Sequence, residues 1–263
     1  MDLKGNQAQR LIERGGEFQR AVEKIIQEVA VVHGYIYPDD YAIRPVTDQI
    51  SRLCSHFPLA FSGALEFVET LSTLTLPEGA EGWFAIPRWE RVASSYGEAV
   101  EKVLAAIAAT RRLDNSWERR LTPDCFRQNE RSAEMFAKLG ENQPSDSDIL
   151  IVPAQFGLRH IDRSARYVRH SGRSDEFALG AFAVGCMLLT HPERIQGDYR
   201  HLWITCAGDE ETDPTPSSSI EEQVFNNVLS FFPSGKDNGI ARGMHRCCEK
   251  SVYSGVPSAF LIA

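Results

Sequence analysis

The sequence predicts a mixed fold of the α/β or α+β class, in which a helical N-terminal part precedes a small C-terminal α/β part with a short sheet. Apolar residues recur at helical spacing through most of the first 110 residues. Short continuous apolar runs, typical of buried strands, begin at 149–152. The arginine-rich polar segment 111–121 lies between the two patterns. We therefore expect a helical region over 1–120 and an α/β region over 121–263, with one continuous domain as the alternative.

The helices of the first region are predicted by apolar residues three or four positions apart. The pattern is clearest at 89–110, where the apolar face lies opposite charged residues. The segment 77–87 contains two glycines and two prolines and is expected to be a connection. The four helices are expected over 17–33, 47–55, 59–75 and 89–110.

The second region begins with a pattern typical of a helix start. Thr122 supplies a capping hydroxyl, Pro123 suits the first helical position and Asp124 suits the helix dipole. A helix is therefore expected from here to about Gly140. The stretch 176–190 is apolar on every face, which favours a buried helix, with a strand as the alternative.

Shorter elements complete the second region. For 219–240 two interpretations stay open, a helix with a capping box formed by Ser219 and Glu222, or a hairpin. The remaining expectations are a strand at 149–152, a helix at 158–170, a strand at 201–206, an acidic loop at 207–219, and strand and loop structure at 252–262.

Composition excludes several classes of protein. With 43% hydrophobic and 24% charged residues, the chain resembles globular proteins and not disordered ones. A net charge of −8 disfavours a general nucleic-acid coat, which would be basic. The sequence shows neither a signal peptide nor an apolar run long enough to span a membrane. Six cysteines without a C-x-x-C pair suggest reduced thiols, so we expect a soluble cytoplasmic protein without a membrane partner.

Five arginines between residues 159 and 173 recur at steps of four, three, three and four, so that on a helix they share one face. With one aspartate in the same segment, the five arginines give a net charge of +4. A helix with this face binds phosphate well, because guanidinium groups recognise it with paired hydrogen bonds. The predicted anion-binding residues are Gln155, Arg159, Arg163, Arg166 and Arg169.

An acidic segment over 207–226 supplies a second candidate site. If the strands at 149–152 and 201–206 pair in parallel, their carboxyl ends share one sheet edge, where α/β proteins bind ligands. Carboxylates at this edge would hold Mg²⁺ or Mn²⁺ beside a phosphate. The predicted metal ligands are Asp209, Glu210 and Glu211, and the predicted general acid or base is His160.

Two functions stay open, and the sequence does not decide whether the protein is an enzyme. The first is a non-catalytic binding or interaction protein whose basic helix contacts a phosphate-bearing small molecule, a polyanion or a protein partner. The alternative is a metal-dependent phosphoester hydrolase or nuclease. Ordinary surface ion pairs explain the same charges without any ligand.

Two further patterns have structural explanations that we favour. A C-x₄-H-x₉-H-x₄-C pattern from Cys186 to Cys206 offers zinc-type ligands, but its spacing matches no usual zinc motif. Four aromatic residues and two arginines are a candidate stacking surface, and packing in the core or at an interface is the favoured alternative. The residues are Trp83, Phe84, Trp89, Trp117, Arg88 and Arg91.

Overall fold

The described part of the chain contains six α-helices and eleven strands, and the strands form two sheets. In this computed structural model the described residues are 35–114, 120–196, 201–212, 225–235 and 239–262. The helix expected over 17–33 lies outside them. The helices are α1 (Val46–His56), α2 (Ser62–Thr70), α3 (Tyr96–Thr110), α4 (Glu130–Glu141), α5 (Ala165–Ser171) and α6 (Ala181–Thr190).

Most of the strands are short. The strands are β1 (Gly82–Pro87), β2 (Leu113–Asp114), β3 (Phe126–Gln128), β4 (Ile149–Gln155), β5 (Glu176–Ala178), β6 (Trp203–Thr205), β7 (Asp209–Glu211), β8 (Asn227–Pro233), β9 (Ile240–Arg246), β10 (Ser254–Gly255) and β11 (Ser258–Phe260). None of the described helices has the length and apolar character that a membrane crossing requires.

The smaller sheet has the strand order β1-β4-β11-β5, and every pairing in it is antiparallel. β4 lies between two neighbours, and all seven of its residues are buried. A strand buried on both faces is continuously apolar instead of alternating. The strand predicted at 149–152 is therefore confirmed, and it extends to Gln155.

The larger sheet has the order β10-β6-β8-β7-β3, and β9 pairs with both β8 and β2. Its longest pairing is the antiparallel hairpin of β8 and β9, in which Asn227 is opposite Arg246. Of the two interpretations open for 219–240, the hairpin is the observed one from Asn227 onward. The capping box at Ser219 lies outside the described residues.

Helix α6 lies at the centre of the fold, and all ten of its residues are buried. It packs against α1, α3 and β1, which explains why its sequence is apolar on every face. Close approach to α3 depends on Gly185, because a Cβ there would lie 2.3 Å from Cγ1 of Val103. The buried helix predicted within 176–190 is confirmed, although the first three residues of this stretch form β5 and the helix begins at Ala181.

The first half of the chain is not purely helical, and the sheets are larger than expected. The segment 77–87, predicted as a connection, contains β1, which pairs along its whole length with β4. Gly82 and Pro87 stand at the two ends of this strand. Both residues are typical of turns, and only the pairing with β4 shows that the apolar residues between them are part of a sheet.

The parallel pairing assumed for the strands near 149–152 and 201–206 is wrong. β4 belongs to the smaller sheet and β6 to the larger one, so their carboxyl ends do not share an edge.

The acidic loop expected over 207–219 begins as β7, which pairs antiparallel with β3. Because β3 precedes it, the helix expected after Thr122 starts only at Glu130.

His191 follows the C-terminal end of α6, and its imidazole is buried. Its Nε2 accepts a hydrogen bond from the backbone N–H of Arg44 at 3.0 Å, which leaves the ring proton on Nδ1. Nδ1 lies 3.2 Å from the carbonyl oxygen of Met187. Burial lowers the pKa of His191 to about 4, although the charge of Glu193 opposes this change.

We expect His191 to make the protein less stable as the pH falls from about 6.5 to about 4. Its folded-state pKa lies below the unfolded value, so in this window protons bind the unfolded chain first and favour unfolding. The contribution is about 3 kcal/mol, fully present above pH 6.5. Urea unfolding of the wild type and of His191→Gln between pH 4 and 7.5 measures it as a difference in free energy. A difference that stays constant with pH would contradict the assignment.

Candidate functional site

A cleft of ≈170 Å³ lies where the end of β1 meets α4 and the first turn of α6. A concave, mainly apolar site with a few polar groups is the usual form of a small-molecule site. Its polar lining residues are Arg88, Tyr96 and Gln128, together with the exposed Glu90. The apolar walls include Ile86, Pro87, Trp89, Phe136, Leu150 and Phe182.

Arg88 supplies positive charge to this cleft. Its Nε donates to the carbonyl oxygen of Ser147 at 3.2 Å, and its Nη2 donates to that of Gly140 at 3.4 Å. Both acceptors are neutral, and no carboxylate of a described residue pairs with the guanidinium. A guanidinium has five N–H donors, so the two used here leave three for another partner.

The residues around Arg88 hold its side chain beside α4. The backbone N–H of Arg88 donates to the carbonyl oxygen of Asp148 at 2.8 Å, which continues the pairing of β1 with β4. Gly140 allows the guanidinium to approach the helix, because a Cβ there would lie 2.4 Å from Nη1. Ala133 and Ala137, one turn apart on α4, are exposed, and their small side chains leave the cleft open.

Tyr96 and Asp209 form a buried pair behind the cleft. The Tyr96 hydroxyl donates to Oδ1 of Asp209 at 2.5 Å, and the backbone N–H of Ala181 donates to Oδ2 at 2.6 Å. Burial raises the pKa of Asp209 to about 7, against the opposing effect of these two hydrogen bonds. The ring of Tyr96 lines the cleft, whereas Asp209 has no exposed surface. The carboxyl group therefore accepts a hydrogen bond from the first turn of α6 and does not face the cleft.

The three predicted metal ligands are not brought together. Successive side chains of a strand point to opposite faces, so β7 separates Glu210 from Asp209 and Glu211. Glu210 instead accepts a hydrogen bond from Nε of Arg127 at 2.8 Å. Among the described residues, no group of three or more His, Cys, Asp or Glu side chains is placed to hold a metal ion.

The basic segment forms a 3₁₀ turn followed by the short helix α5, and not the single helix expected over 158–170. Arg159, in the turn, pairs with Glu176 at 3.1 Å. Arg169, in α5, donates to the carbonyl oxygen of Ala207 at 2.7 Å. These two predicted anion-binding residues therefore already have partners within the protein.

Arg163 and Arg166 are the predicted anion-binding arginines that have no carboxylate partner among the described residues. The guanidinium of Arg163 lies over the ring of Tyr167, 4.8 Å from its centroid. Nη2 of Arg166 contacts Sγ of Cys247 at 3.5 Å. Arg163 is half-buried and Arg166 is exposed, so little of the predicted basic face is open to a polyanion.

The structure does bring three predicted site residues together around Glu176. Nε2 of His160 lies 2.7 Å from its carboxylate, and Nε of Arg159 lies 3.1 Å away. The Ser258 hydroxyl donates to the same carboxylate at 2.6 Å and accepts from Nε2 of Gln155 at 2.9 Å. Burial raises the pKa of Glu176, but the hydrogen bonds and charges of its partners lower it further, to about 2.

The cluster around Glu176 is a satisfied polar network and not an open site. Ser258 has no exposed surface, so its hydroxyl cannot attack a substrate, and only 13% of the His160 side chain is exposed. Sequence patterns do not identify Glu176 and Ser258, because Glu176 lies 16 residues from His160 and 82 residues from Ser258 in the chain. Only the pairing of β11 with β5 joins them.

Two residues of the zinc pattern, Cys186 and His191, have positions that are explained without zinc. Cys186 is enclosed within α6, and Nε2 of His191 is occupied by the backbone N–H of Arg44. All six cysteines are free thiols.

No protein-family model, curated protein or solved structure matches this chain. The chemistry of the cleft is therefore the basis for assigning a function. Sequence patterns place Arg88 and Trp89 in a candidate stacking surface, but they do not predict the cleft. The segments that line the cleft are spread along the chain between Ile86 and Ala183.

Proposed function

We propose that the protein binds a small organic acid whose apolar body occupies the cleft and whose carboxylate contacts Arg88. The observation that carries this proposal is a guanidinium without a carboxylate partner in the described chain, placed in the wall of a mainly apolar cleft. Glu90 lines the same cleft but is exposed and makes no ion pair with Arg88. A planar guanidinium matches a carboxylate with two parallel hydrogen bonds. Apolar surroundings strengthen that interaction, because they lower the local dielectric constant.

The volume of the cleft favours a ligand with a single ring. A cavity of roughly 150 Å³ holds one benzene molecule, and this cleft measures ≈170 Å³. Trp89, Phe136 and Phe182 present aromatic surface, against which a ring packs by its edge or by an offset face. An aromatic monocarboxylate therefore fits better than a nucleotide.

Binding without catalysis is the better-supported activity. Asp209 is the group near the cleft whose pKa lies close to neutrality, but it has no exposed surface and its carboxylate oxygens are already bonded. A metal-dependent hydrolase has less support, because Asp209 and Glu210 lie on opposite faces of β7. Binding of a polyanion rests on Arg163 and Arg166 alone, and of these two only Arg166 is exposed.

We expect Arg88→Gln to weaken the binding of benzoate at least tenfold. A tenfold loss equals about 1.4 kcal/mol, within the range for a charged hydrogen-bonded pair. Two-dimensional NMR titration with benzoate, and with the neutral analogue benzyl alcohol, measures this directly. Arg91→Gln is the matched control, because that neighbouring arginine pairs with Asp148 at 3.2 Å and does not line the cleft.

The position of the ligand is tested with a substitution that fills the cleft. Ala137→Phe should abolish benzoate binding, whereas Lys138→Phe, on the adjacent exposed residue, should leave it unchanged. Equal binding of benzoate and benzyl alcohol, or equal losses in Arg88→Gln and Arg91→Gln, would show that Arg88 does not select an acid.

A further inference from the structure

A second cleft lies where α1, α3 and α6 come to their C-terminal ends. Its volume is ≈290 Å³, and it is lined by Arg52, His56 and Arg111 together with Leu189 and Pro192. No acidic residue is among the described residues that line it. The cleft is therefore basic, although the protein carries a net charge of −8.

Arg111 is partly buried and incompletely bonded. Its Nη1 donates to the carbonyl oxygens of Pro192 at 2.9 Å and of Ile195 at 2.7 Å, whereas its buried Nη2 has no hydrogen-bond partner. Burial lowers the pKa of Arg111 to about 10, although the charge of Glu193 opposes this. Glu193 itself is paired with Arg44. A buried cation with an unsatisfied N–H group is costly unless an anion or another acceptor completes it.

Arg52 brings a second guanidinium to the same cleft. It is exposed, and its side chain makes no hydrogen bond or ion pair with a described residue. Cations near helix C-termini commonly serve to bond the last carbonyl groups. That role does not account for Arg52, whose side chain donates to none of them, nor for Arg111, whose acceptors lie beyond α6.

The hydroxyl groups near the guanidinium groups are already engaged. The Ser55 hydroxyl donates to the carbonyl oxygen of Arg52 at 2.6 Å, and the Thr110 hydroxyl donates to that of Ile107 at 2.9 Å. Recognition of an anion would therefore rest on the guanidinium groups and the imidazole. Two guanidinium groups suit an anion with several oxygens and more than one charge.

We propose that this second cleft binds a phosphoryl group, held between Arg52 and Arg111 with His56 beside them. The free anion and an organic phosphate monoester present the same oxygens to these residues. The volume of ≈290 Å³ leaves room for a small organic body next to the phosphoryl group. This site is separate from the Arg88 cleft and does not depend on the function proposed for it.

Titration with inorganic phosphate at low ionic strength, followed by two-dimensional NMR, tests the proposal. We expect saturable binding that Arg52→Gln weakens at least tenfold. Arg112→Gln is the matched control, because this exposed neighbour of Arg111 does not line the cleft and should leave binding unchanged. Arg88→Gln should also leave it unchanged, which separates this site from the first cleft.

Further ligands and one further variant complete the test. Tighter binding of glycerol phosphate than of phosphate would identify an organic phosphate as the ligand, and the reverse would identify the free anion. Arg111→Lys keeps the positive charge but loses the paired geometry, so it should weaken binding as well. The proposal is overturned if neither phosphate nor glycerol phosphate binds saturably, or if Arg52→Gln binds phosphate as the wild type does.

Discussion

Asp209→Leu is expected to lower the free energy of unfolding by about 4 kcal/mol. Leucine has a similar size but cannot accept a hydrogen bond. The Tyr96 hydroxyl and the Ala181 N–H, both bonded to Asp209 in the wild type, would then be buried without an acceptor. Each unsatisfied group costs about 1–3 kcal/mol, and the first turn of α6 also loses its side-chain acceptor.

Glu210→Leu is the matched control for this substitution. Glu210 is the next residue of β7 and points to the opposite face. It pairs with the exposed Arg127 and accepts a hydrogen bond from Nδ2 of Asn129 at 2.8 Å. Its replacement should lower the free energy of unfolding by about 1–2 kcal/mol, less than Asp209→Leu does, because the exposed Arg127 can bond to water instead. Chemical denaturation of both variants at pH 6 measures the difference. Comparable effects of the two substitutions would mean that the buried bonds of Asp209 do not stabilise α6.

Asp209→Asn isolates the proton held by the carboxyl group. Because burial raises the folded-state pKa to about 7, the folded chain binds this proton more tightly than the unfolded chain does. The resulting stability is fully present below about pH 4 and is lost as the pH rises through 7, a change of about 4 kcal/mol. The stability of the wild type relative to Asp209→Asn should fall by that amount between pH 4 and 7.5. His191 contributes a slope of opposite sign, which is why the comparison with Asp209→Asn is needed to isolate the effect of Asp209.

Gly97→Ala is expected to destabilise the protein by about 4 kcal/mol, at the upper end of the range for overpacking. A Cβ at this position would lie 1.8 Å from the carbonyl oxygen of Leu121. That atom belongs to the backbone, so the start of α3 or the segment at Leu121 must move. In a helix, alanine is intrinsically more stable than glycine by about 1 kcal/mol. A net loss of stability therefore identifies the crowding as its cause.

Gly172→Ala serves as the control for an added methyl group. The nearest atom to a Cβ at Gly172 is the carbonyl oxygen of Val168 at 3.3 Å, and φ is −63° there. A change of less than about 1 kcal/mol is expected. Thermal and urea unfolding of both variants measure the two effects. If Gly97→Ala is as mild as Gly172→Ala, the close approach of α3 to Leu121 is not a constraint on the fold.

Sequence patterns correctly predict the elements that are buried on all sides. β4 and α6 are buried on every side, so their apolar character is continuous and needs no knowledge of their neighbours. β1 is missed because the glycine and proline at its ends are typical of loops. The division of the strands into two sheets is missed as well, because pairing joins residues far apart in the chain and local patterns do not encode it.

The sequence predicts some residues of the candidate sites but not how they are arranged. The sequence places Gln155, Arg159 and His160 close together, but it predicts an open site where Glu176 completes a closed network. The arginine spacing suggests one continuous helix, whereas α5 begins only at Ala165. The sequence identifies Arg88 only as part of a candidate stacking surface, for which packing in the core is the favoured alternative. Its significance is that no carboxylate of a described residue pairs with it, and this is visible only in the structure.

The enclosure of α6 has a consequence for hydrogen exchange. Its amide protons can reach solvent only when the surrounding elements separate, so their exchange should report global unfolding. The Ala181 amide, which has no acceptor within its own helix, should exchange as slowly as the rest because Asp209 protects it. A molecule that binds only the folded chain slows such exchange by the factor by which it increases stability. The hydrogen-exchange rates of the α6 amides therefore report the binding of ligands to either cleft.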